Sequence, residues 1–492
     1  MRGARESSAS GQLPARRRRP WRRLLVVVGI AHLVGLVSSL DAMMSSRTSQ
    51  GAVAWIVSLN TVPYVAVPAY WVFGRARFQG YVSARRDEDS ALGQALADKL
   101  AELRAHGVSV AHADKHLVGV EQLAKLPFLG GNRVELLIDG EQTFESLFAG
   151  IESAERYLLV QFYIVRADEV GLALQARLIE KARAGVEVFF LYDEIGSYAL
   201  PGRYLQEMEE AGVRVHRFHS TRGTGNRFQL NFRNHRKIVV ADGERAWVGG
   251  FNIGDEYLHG HPSIGPWRDT HLMIEGPAAL ALQLVFLEDW HWATEELPEL
   301  PWSPVVPSHH GTPVLILPTG PADRFETASL MIQQAIHAAQ ERIWISSPYF
   351  VPDEGVLSML KLAALSGVDV RVLIPERPDN PLTYFAAYAF LDSLLEAGVK
   401  VYRYEEGFLH GKAFLVDDIG AAVGTVNLDN RSFRLNFEVT ALVLDPGLAA
   451  EVQTMFEVDF AGSRRMRPGE LDGYPLWHRV AARASYLLAP VL

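Results

Sequence analysis

The sequence predicts an α/β fold, with two tandem, pseudo-symmetric units preceded by a two-helix transmembrane hairpin. Three observations predict it. Two uncharged apolar stretches open the chain, a strand–helix–strand–helix–strand pattern then occurs twice, and one polar motif recurs at the same place in both copies. The 492 residues leave room for about two to four domains, or for one large duplicated body.

Composition narrows the classes. Apolar residues make up 48% and charged residues 21%, so the chain is neither disordered nor uniformly hydrophobic. It has no cysteine. That excludes a disulfide scaffold, a thiolate-held cluster, a Cys zinc site and a Cys nucleophile, and it fits a reducing compartment. The net charge of −9 hides an asymmetry: residues 1–23 carry eight Arg and one Glu, leaving −16 for the rest. An acidic body is poorly suited to neutralising nucleic-acid phosphates, so no nucleic-acid partner is expected. The basic tip suits an anionic membrane surface.

Taken in order, residues 1–23 form a basic N-terminus. The apolar stretch 24–40 spans roughly 25 Å as a helix and crosses a bilayer if it continues to about residue 44, with Asp41 near the interface. The stretch 51–73 spans roughly 34 Å by the same rise. A basic run before an apolar one also fits a signal peptide, but no A-x-A site follows and a second apolar segment comes at once. Arg16 to Arg19, Arg22 and Arg23 precede the first span; Arg75, Arg77, Arg85 and Arg86 follow the second; the connecting loop has only Arg47. The positive-inside rule then places both ends, and the body after residue 75, in the cytoplasm, as a multi-pass protein of the inner membrane. With residues 24–80 assigned to this membrane part, 81–125 read as a helical linker, 126–300 as the first unit, 301–462 as the second and 463–492 as a C-terminal tail.

The duplication is visible in matched segments. AGVEVFFLYDE at 184–194 answers SGVDVRVLIPE at 366–376, and AGVRVHRF at 211–218 answers AGVKVYRY at 397–404. Short Val- and Ile-rich runs alternating with helical stretches imply a buried sheet covered by helices. The repeat is too long for a solenoid. In the tail, PLWHRVAARASYLLAPVL at 475–492 mixes Trp, Leu and Val with Arg; it either lies on a membrane interface or packs on the body.

The recurring motif carries the chemistry. His235, Lys237 and Asp242 in the first half match His410, Lys412 and Asp417 in the second, both as His-x-Lys-x4-Asp. Gly249 and Gly424 follow their His at the same spacing, as do Asn252 and Asn427. In an extended strand His and Lys two apart share a face, whereas each Asp has the opposite parity and falls at the strand's end. The His–Lys pairs are therefore read as the reacting face, and the two Asp as structural, holding a turn or a neighbouring cation.

Two such pairs across a pseudo-dyad make one site for a phosphodiester. One imidazole attacks phosphorus; the other protonates the leaving alkoxide and then deprotonates the incoming hydroxyl. The lysines and the Asn252 and Asn427 amides stabilise charge on the non-bridging oxygens. Each His needs a carboxylate behind it, and Asp269 in WRDTH and Glu438 in NFE are the candidates. Lys is a poor metal ligand and the motif lacks a His/carboxylate cluster, so no metal or other cofactor is expected.

These motifs resemble the phospholipase D superfamily, whose hallmark is the duplicated His-Lys-Asp motif, and within it the bacterial cardiolipin synthases. NFRNHRKIVVADG, VGGFNIGDEYL, WRDTHLMIEGPA, PYFVPDE, GFLHGK and VGTVNLDNRSFRLNFEV carry the likeness, and the two apolar segments extend it over nearly the whole chain. The resemblance implies two phospholipase D-like α/β/α units sharing one active site and a metal-independent phosphatidyl transfer. One phosphatidylglycerol loads the enzyme and releases glycerol; a second takes the phosphatidyl group and becomes cardiolipin. By position it implies His235, Lys237, Asp242, His410, Lys412 and Asp417 as catalytic, with His235 the nucleophile and His410 the acid/base. The likeness of the halves leaves the reverse assignment open. One departure is Gly249-Gly250, where the second copy has Gly424-Thr425 and so keeps a hydroxyl that could bind phosphate. The rival readings are hydrolysis by water, transfer to another alcohol, a nuclease, and an inactive membrane scaffold. The oligomeric state is left open.

Overall fold

The computed structural model describes residues 20–46, 48–74, 91–108, 115–218, 231–307 and 311–492. The chain divides into two compact units, Met1–Ala76 and Arg77–Leu492. The expected basic N-terminus before residue 20, Arg47 of the connecting loop and the Arg-bearing stretch 75–90 lie outside the described residues.

In the first unit, helix Pro20–Ser45 contains Leu25–Ser45, the one helix among the described residues long and apolar enough to cross a membrane. The second expected span is not one helix. It runs as Ser49–Thr61, then Pro63–Ala69, then a π turn Tyr70–Gly74. Val62, at φ −134 and ψ 57, leaves the helical region because the ring of Pro63 disfavours that conformation in the residue before it. Helix Pro20–Ser45 buries the small residues Gly35, Ser38, Ser39 and Ala42. Its polar groups are satisfied from the broken segment: Asn60 donates to Ser39 Oγ at 2.8 Å, Tyr70 OH to Asp41 Oδ2 at 2.8 Å and Trp71 Nε1 to Ser38 Oγ at 3.1 Å.

The second unit is built on one continuous sheet. In the first half the strands are β1 (Leu129–Ile138), β2 (Tyr157–Phe162), β3 (Glu187–Asp193), β4 (Arg214–Phe218), β5 (Ile238–Ala241), β6 (Arg245–Gly249) and β7 (Thr270–Glu275). The second half repeats them as β8 (Thr312–Thr319), β9 (Arg342–Ser346), β10 (Asp369–Pro375), β11 (Lys400–Tyr404), β12 (Ala413–Val416), β13 (Gly420–Gly424) and β14 (Asn436–Val443). The spatial order is β4-β3-β2-β5-β6-β7-β1 and then its mirror, β8-β14-β13-β12-β9-β10-β11, joined by antiparallel pairing of β1 with β8; Ser463–Arg465 adds an edge. In each half the three outer strands are parallel and the rest antiparallel. The sequence expectation of a duplicated mixed sheet describes this architecture.

Local chemistry explains the repeats. Each AGV or SGV tripeptide ends a helix with a glycine in left-handed backbone: Gly185, Gly212, Gly367 and Gly398 have φ of 93, 98, 95 and 94. Asp168 and Asp353 cap equivalent helices, accepting from Gly171 N at 3.1 Å and Val356 N at 2.9 Å. The stretch expected as a linker is part of the main core: Leu96, Leu103, Val120 and Ala124 are buried within it. Helix Pro277–Thr294 is buried from Pro277 to Trp290, mostly apolar, and carries Gln283, Glu288 and Asp289 into the core.

Candidate active site

Each motif enters the site from an irregular extended segment rather than from a regular strand. Residues 235–237 and 410–412 precede β5 and β12. The alternation expected of a strand still holds: Arg236 is turned away from its neighbours into the interior, where Nη1 donates to Asp289 Oδ1 at 2.6 Å and Nε to the Glu438 carbonyl at 3.0 Å. Gln161 and Asn234 donate to the other Asp289 oxygen, at 2.7 and 2.8 Å. This buried, hydrogen-bonded ion pair fixes the backbone that carries His235.

The two imidazoles are oriented by carboxylates of the opposite halves. His235 Nδ1 lies 2.8 Å from Glu438 Oε2, and His410 Nδ1 lies 2.6 Å from Asp269 Oδ2. Backbone pairing explains the exchange. Arg233–Asn234 pairs in parallel with Asn436–Phe437, and Phe408–Leu409 with Trp267–Arg268. The His235 amide then donates to the Phe437 carbonyl at 2.9 Å, and the His410 amide to the Arg268 carbonyl at 2.7 Å. Each His is thus laid beside the residue that follows the paired segment, Glu438 or Asp269. With Nδ1 engaged, Nε2 is the free nitrogen of both rings.

All four basic side chains and both carboxylates are buried. Burial is the largest influence on His235 and pushes it down to about 4, with Lys237 adding to this and Glu438 opposing. Burial, then Lys412, takes His410 down to about 3, with Asp269 opposing. Burial also lowers Lys412 to about 8 and holds Lys237 well below its usual range. For Glu438 and Asp269 burial pushes upward, but the neighbouring His and Lys outweigh it and hold both below the ordinary carboxylate range. Lys412 acts on His235, and Lys237 on His410, across the halves. The structure therefore brings His235, Lys237, His410, Lys412, Asp269 and Glu438 into one buried cluster of strongly perturbed titratable groups, the pattern of a reaction centre. Lys237 Nζ donates to its own His235 carbonyl at 2.7 Å, and Lys412 likewise to the His410 carbonyl.

The walls differ. Tyr163 packs on His235 with ring centres 4.8 Å apart and lies 5.4 Å from Lys237 Nζ. His410 is boxed by Trp267, Phe408 and Tyr257, with ring centres at 5.1, 5.9 and 6.1 Å. These four aromatics escaped the sequence reading; Phe408 stands beside the second motif in GFLH, Tyr257 and Trp267 lie in the GDEYL and WRDTH segments that follow the first, and Tyr163 carries no motif signal.

Asp242 and Asp417, carried over as catalytic by resemblance, stand apart from this cluster. Each lies at the far end of β5 or β12, roughly 20 Å of extended chain from its His. Asp242 accepts from the Glu155, Arg156 and Tyr157 amides, each at 2.8 Å. Asp417 accepts from Gln340, Glu341 and Arg342 at 2.9, 2.9 and 2.8 Å. Each holds the start of β2 or β9 through three backbone amides, apart from the imidazoles and lysines. Asn252 is engaged structurally: its Oδ1 accepts from Ile164 N at 3.2 Å and its Nδ2 lies 3.2 Å from Tyr257 OH. Asn427 keeps a buried Oδ1 with no hydrogen-bond partner.

The Gly250/Thr425 difference is also structural. A Cβ on Gly250 would lie 2.0 Å from Asp269 Oδ1. Thr425 Oγ1 instead accepts from the Val439 amide at 2.9 Å. The hydroxyl expected to meet phosphate is spent on the backbone, and the glycine makes room for the shorter carboxylate.

Comparison with known proteins places the chain in a family. The family described as cardiolipin synthase, PLD-like domain, matches residues 147–266 and 332–460. A cardiolipin synthase A of Pseudomonas putida (strain W619) is 46% identical over 471 residues, covering 95% of this chain and 98% of that one. A cardiolipin synthase A of Pseudomonas aeruginosa (strain LESB58) is 48% identical over 477 residues, covering 95% and 96%. A crystal structure of a phosphatidylserine synthase from Haemophilus influenzae Rd KW20 shares the fold, with TM-score 0.59 at 17% identity, covering 77% of this chain and all of that one. The chain belongs to the cardiolipin synthases of the phospholipase D superfamily and is a phosphatidyltransferase.

Proposed function

We propose that the protein joins two phosphatidylglycerol molecules into cardiolipin and glycerol through a phosphohistidine. His235 Nε2 attacks phosphorus, the bond from phosphorus to the glycerol oxygen breaks, and His410 gives that oxygen a proton. The headgroup hydroxyl of a second phosphatidylglycerol then passes its proton to His410 and attacks phosphorus, and the phosphorus–nitrogen bond breaks. Lys237 and Lys412 neutralise the charge that builds on the non-bridging oxygens, with the Asn427 amide alongside. Glu438 and Asp269 hold the two rings. Asp242 and Asp417 serve the fold rather than the chemistry.

The observation that carries this reading is the crossed pair of His–carboxylate contacts, His235–Glu438 at 2.8 Å and His410–Asp269 at 2.6 Å. It presents two Nε2 atoms to one cluster, which is what a two-step displacement needs. The unequal walls favour His235 as the nucleophile, since His410 is the ring enclosed by three aromatics. The lowered histidines imply that an incoming phosphodiester anion supplies the charge that lets His410 hold a proton.

In this reading the first unit anchors the enzyme as a two-pass segment of the inner membrane, with the body, organised as tandem halves 126–300 and 301–462, on the cytoplasmic side. The apolar helix Leu25–Ser45 and the arginines flanking both apolar stretches support it. The test is to incubate the purified protein with labelled phosphatidylglycerol and a chelator and to resolve the lipids. Cardiolipin with an equivalent of glycerol is expected. Phosphatidic acid alone would mean hydrolysis and overturn the transfer step.

A further inference from the structure

The C-terminal helix Leu476–Tyr486 has two unlike apolar faces. One is buried: His478, Ala482 and Ser485 turn inward against helix Pro381–Glu396. There the His478 ring lies 4.6 Å from Tyr388, and Tyr486 lies 5.4 Å from Phe390. The opposite face is bare. Leu476, Trp477, Val480 and the following Leu487 are 74%, 64%, 58% and 78% exposed. At about 100° per residue, positions 476, 480 and 487 fall within about 40° of one another, with 477 beside them. Arg479 and Arg483, both exposed, line one margin of this stripe. From Pro475 to Leu492 the chain has no Asp or Glu; Asp392 on the neighbouring helix faces both arginines, with Glu396 and Asp472 close to it.

We propose that this face docks on the surface of an anionic bilayer. The stripe matches the acyl boundary, Trp477 suits the headgroup level, and Arg479 and Arg483 suit lipid phosphates. The choice of lipid as occupant rests on the proposed function, whose substrates are bilayer lipids; the bare face does not. Position favours it too. The Trp477 ring lies 6.2 Å from Phe385, close to the start of helix Pro381–Glu396. Just before that start, Asp379 accepts from Tyr349 OH at 2.5 Å, and its carboxylate acts on Lys412. The stripe thus leads toward the half-site that holds His410 and Lys412, and docking would present bilayer lipids to it without full extraction into water.

The absence of cysteine permits a direct test. Nitroxides are placed on the full chain at Val480→Cys, Leu487→Cys and, on an exposed helix of the first half, Glu209→Cys. The proteins are reconstituted in vesicles of phosphatidylcholine and phosphatidylglycerol. At 480 and 487, collisions with oxygen should exceed those with a water-soluble nickel chelate, and at 209 the order should reverse. Equal chelate access at all three positions would overturn the proposal, as would spin–spin broadening at 480 that reveals a second copy on the face. A Leu476→Ser, Val480→Ser, Leu487→Ser variant should raise the apparent KM for bilayer phosphatidylglycerol about tenfold while leaving kcat within about twofold. An unchanged KM would also overturn it. If the labels insert but no cardiolipin forms, docking stands and the functional reading fails. If cardiolipin forms while the labels stay in water, the reverse holds.

Discussion

Glu438 and His235 lie 203 residues apart in the chain, yet their side chains meet at 2.8 Å. The reciprocal pair, Asp269 and His410, meets across 141 residues. Neither half can orient its own imidazole. The active site therefore exists only when both halves are folded against each other.

The crossed pairing predicts which step each carboxylate serves. Glu438→Gln and Asp269→Asn keep the shapes and remove the charges, and each should lower turnover on the order of 10³-fold. A phosphatidyl ester of p-nitrophenol leaves without needing a proton. With it, the release of the first product should recover in Asp269→Asn, whose deficit lies at His410, but not in Glu438→Gln. Stopped-flow release of p-nitrophenol distinguishes the two. Recovery in Glu438→Gln alone would assign the roles the other way, and recovery in both variants would mean that neither carboxylate serves the attack on phosphorus.

Removing Asp242 tests its assignment to the fold. Asp242→Ala leaves three backbone N–H groups without their acceptor and should cost about 3 kcal/mol of stability. Thermal unfolding of the detergent-solubilised protein should show the loss, while kcat per folded molecule stays within a few-fold. Lost turnover with an unchanged Tm would return Asp242 to the chemistry.

The buried histidines make the body acid-sensitive. His235, His410 and His271 are pushed by burial down to about 4, 3 and 3. The unfolded chain then binds protons at a higher pH than the native one, so their contribution is complete above about pH 6.5 and declines as the pH falls toward their folded values. Asp429, pushed up to about 6 by burial, opposes this in part. Denaturant unfolding at a series of pH values should show stability falling by several kcal/mol between about pH 7 and 4. A flat profile across that range would show that these rings are accessible to solvent protons in the native state.

Much of the molecule was legible in the order of residues. The AGV and SGV turns, the Val- and Ile-rich strands and the doubled His-x-Lys-x4-Asp spacing are local patterns, because helix ends, buried strands and turn glycines are set by neighbours in the chain. Asp269 and Glu438 could be picked out as carboxylates at comparable distances downstream of the two motifs, and the parity of Asp242 and Asp417 set them off from the His–Lys faces. The break at Val62–Pro63 was also written in the sequence but was outweighed there by hydropathy, which counts apolar residues and ignores the missing amide.

What the chain alone could not settle was partnership. The mirror arrangement of the two halves, the exchange of carboxylates and the spending of Thr425 on a backbone amide depend on which segments the β1–β8 seam brings together. The same is true of the four aromatics that wall the imidazoles and of the bare face left on helix Leu476–Tyr486. A carboxylate, a tyrosine or a leucine has the same letter whether it meets an imidazole, a strand or lipid, and only packing across large separations in sequence decides between them.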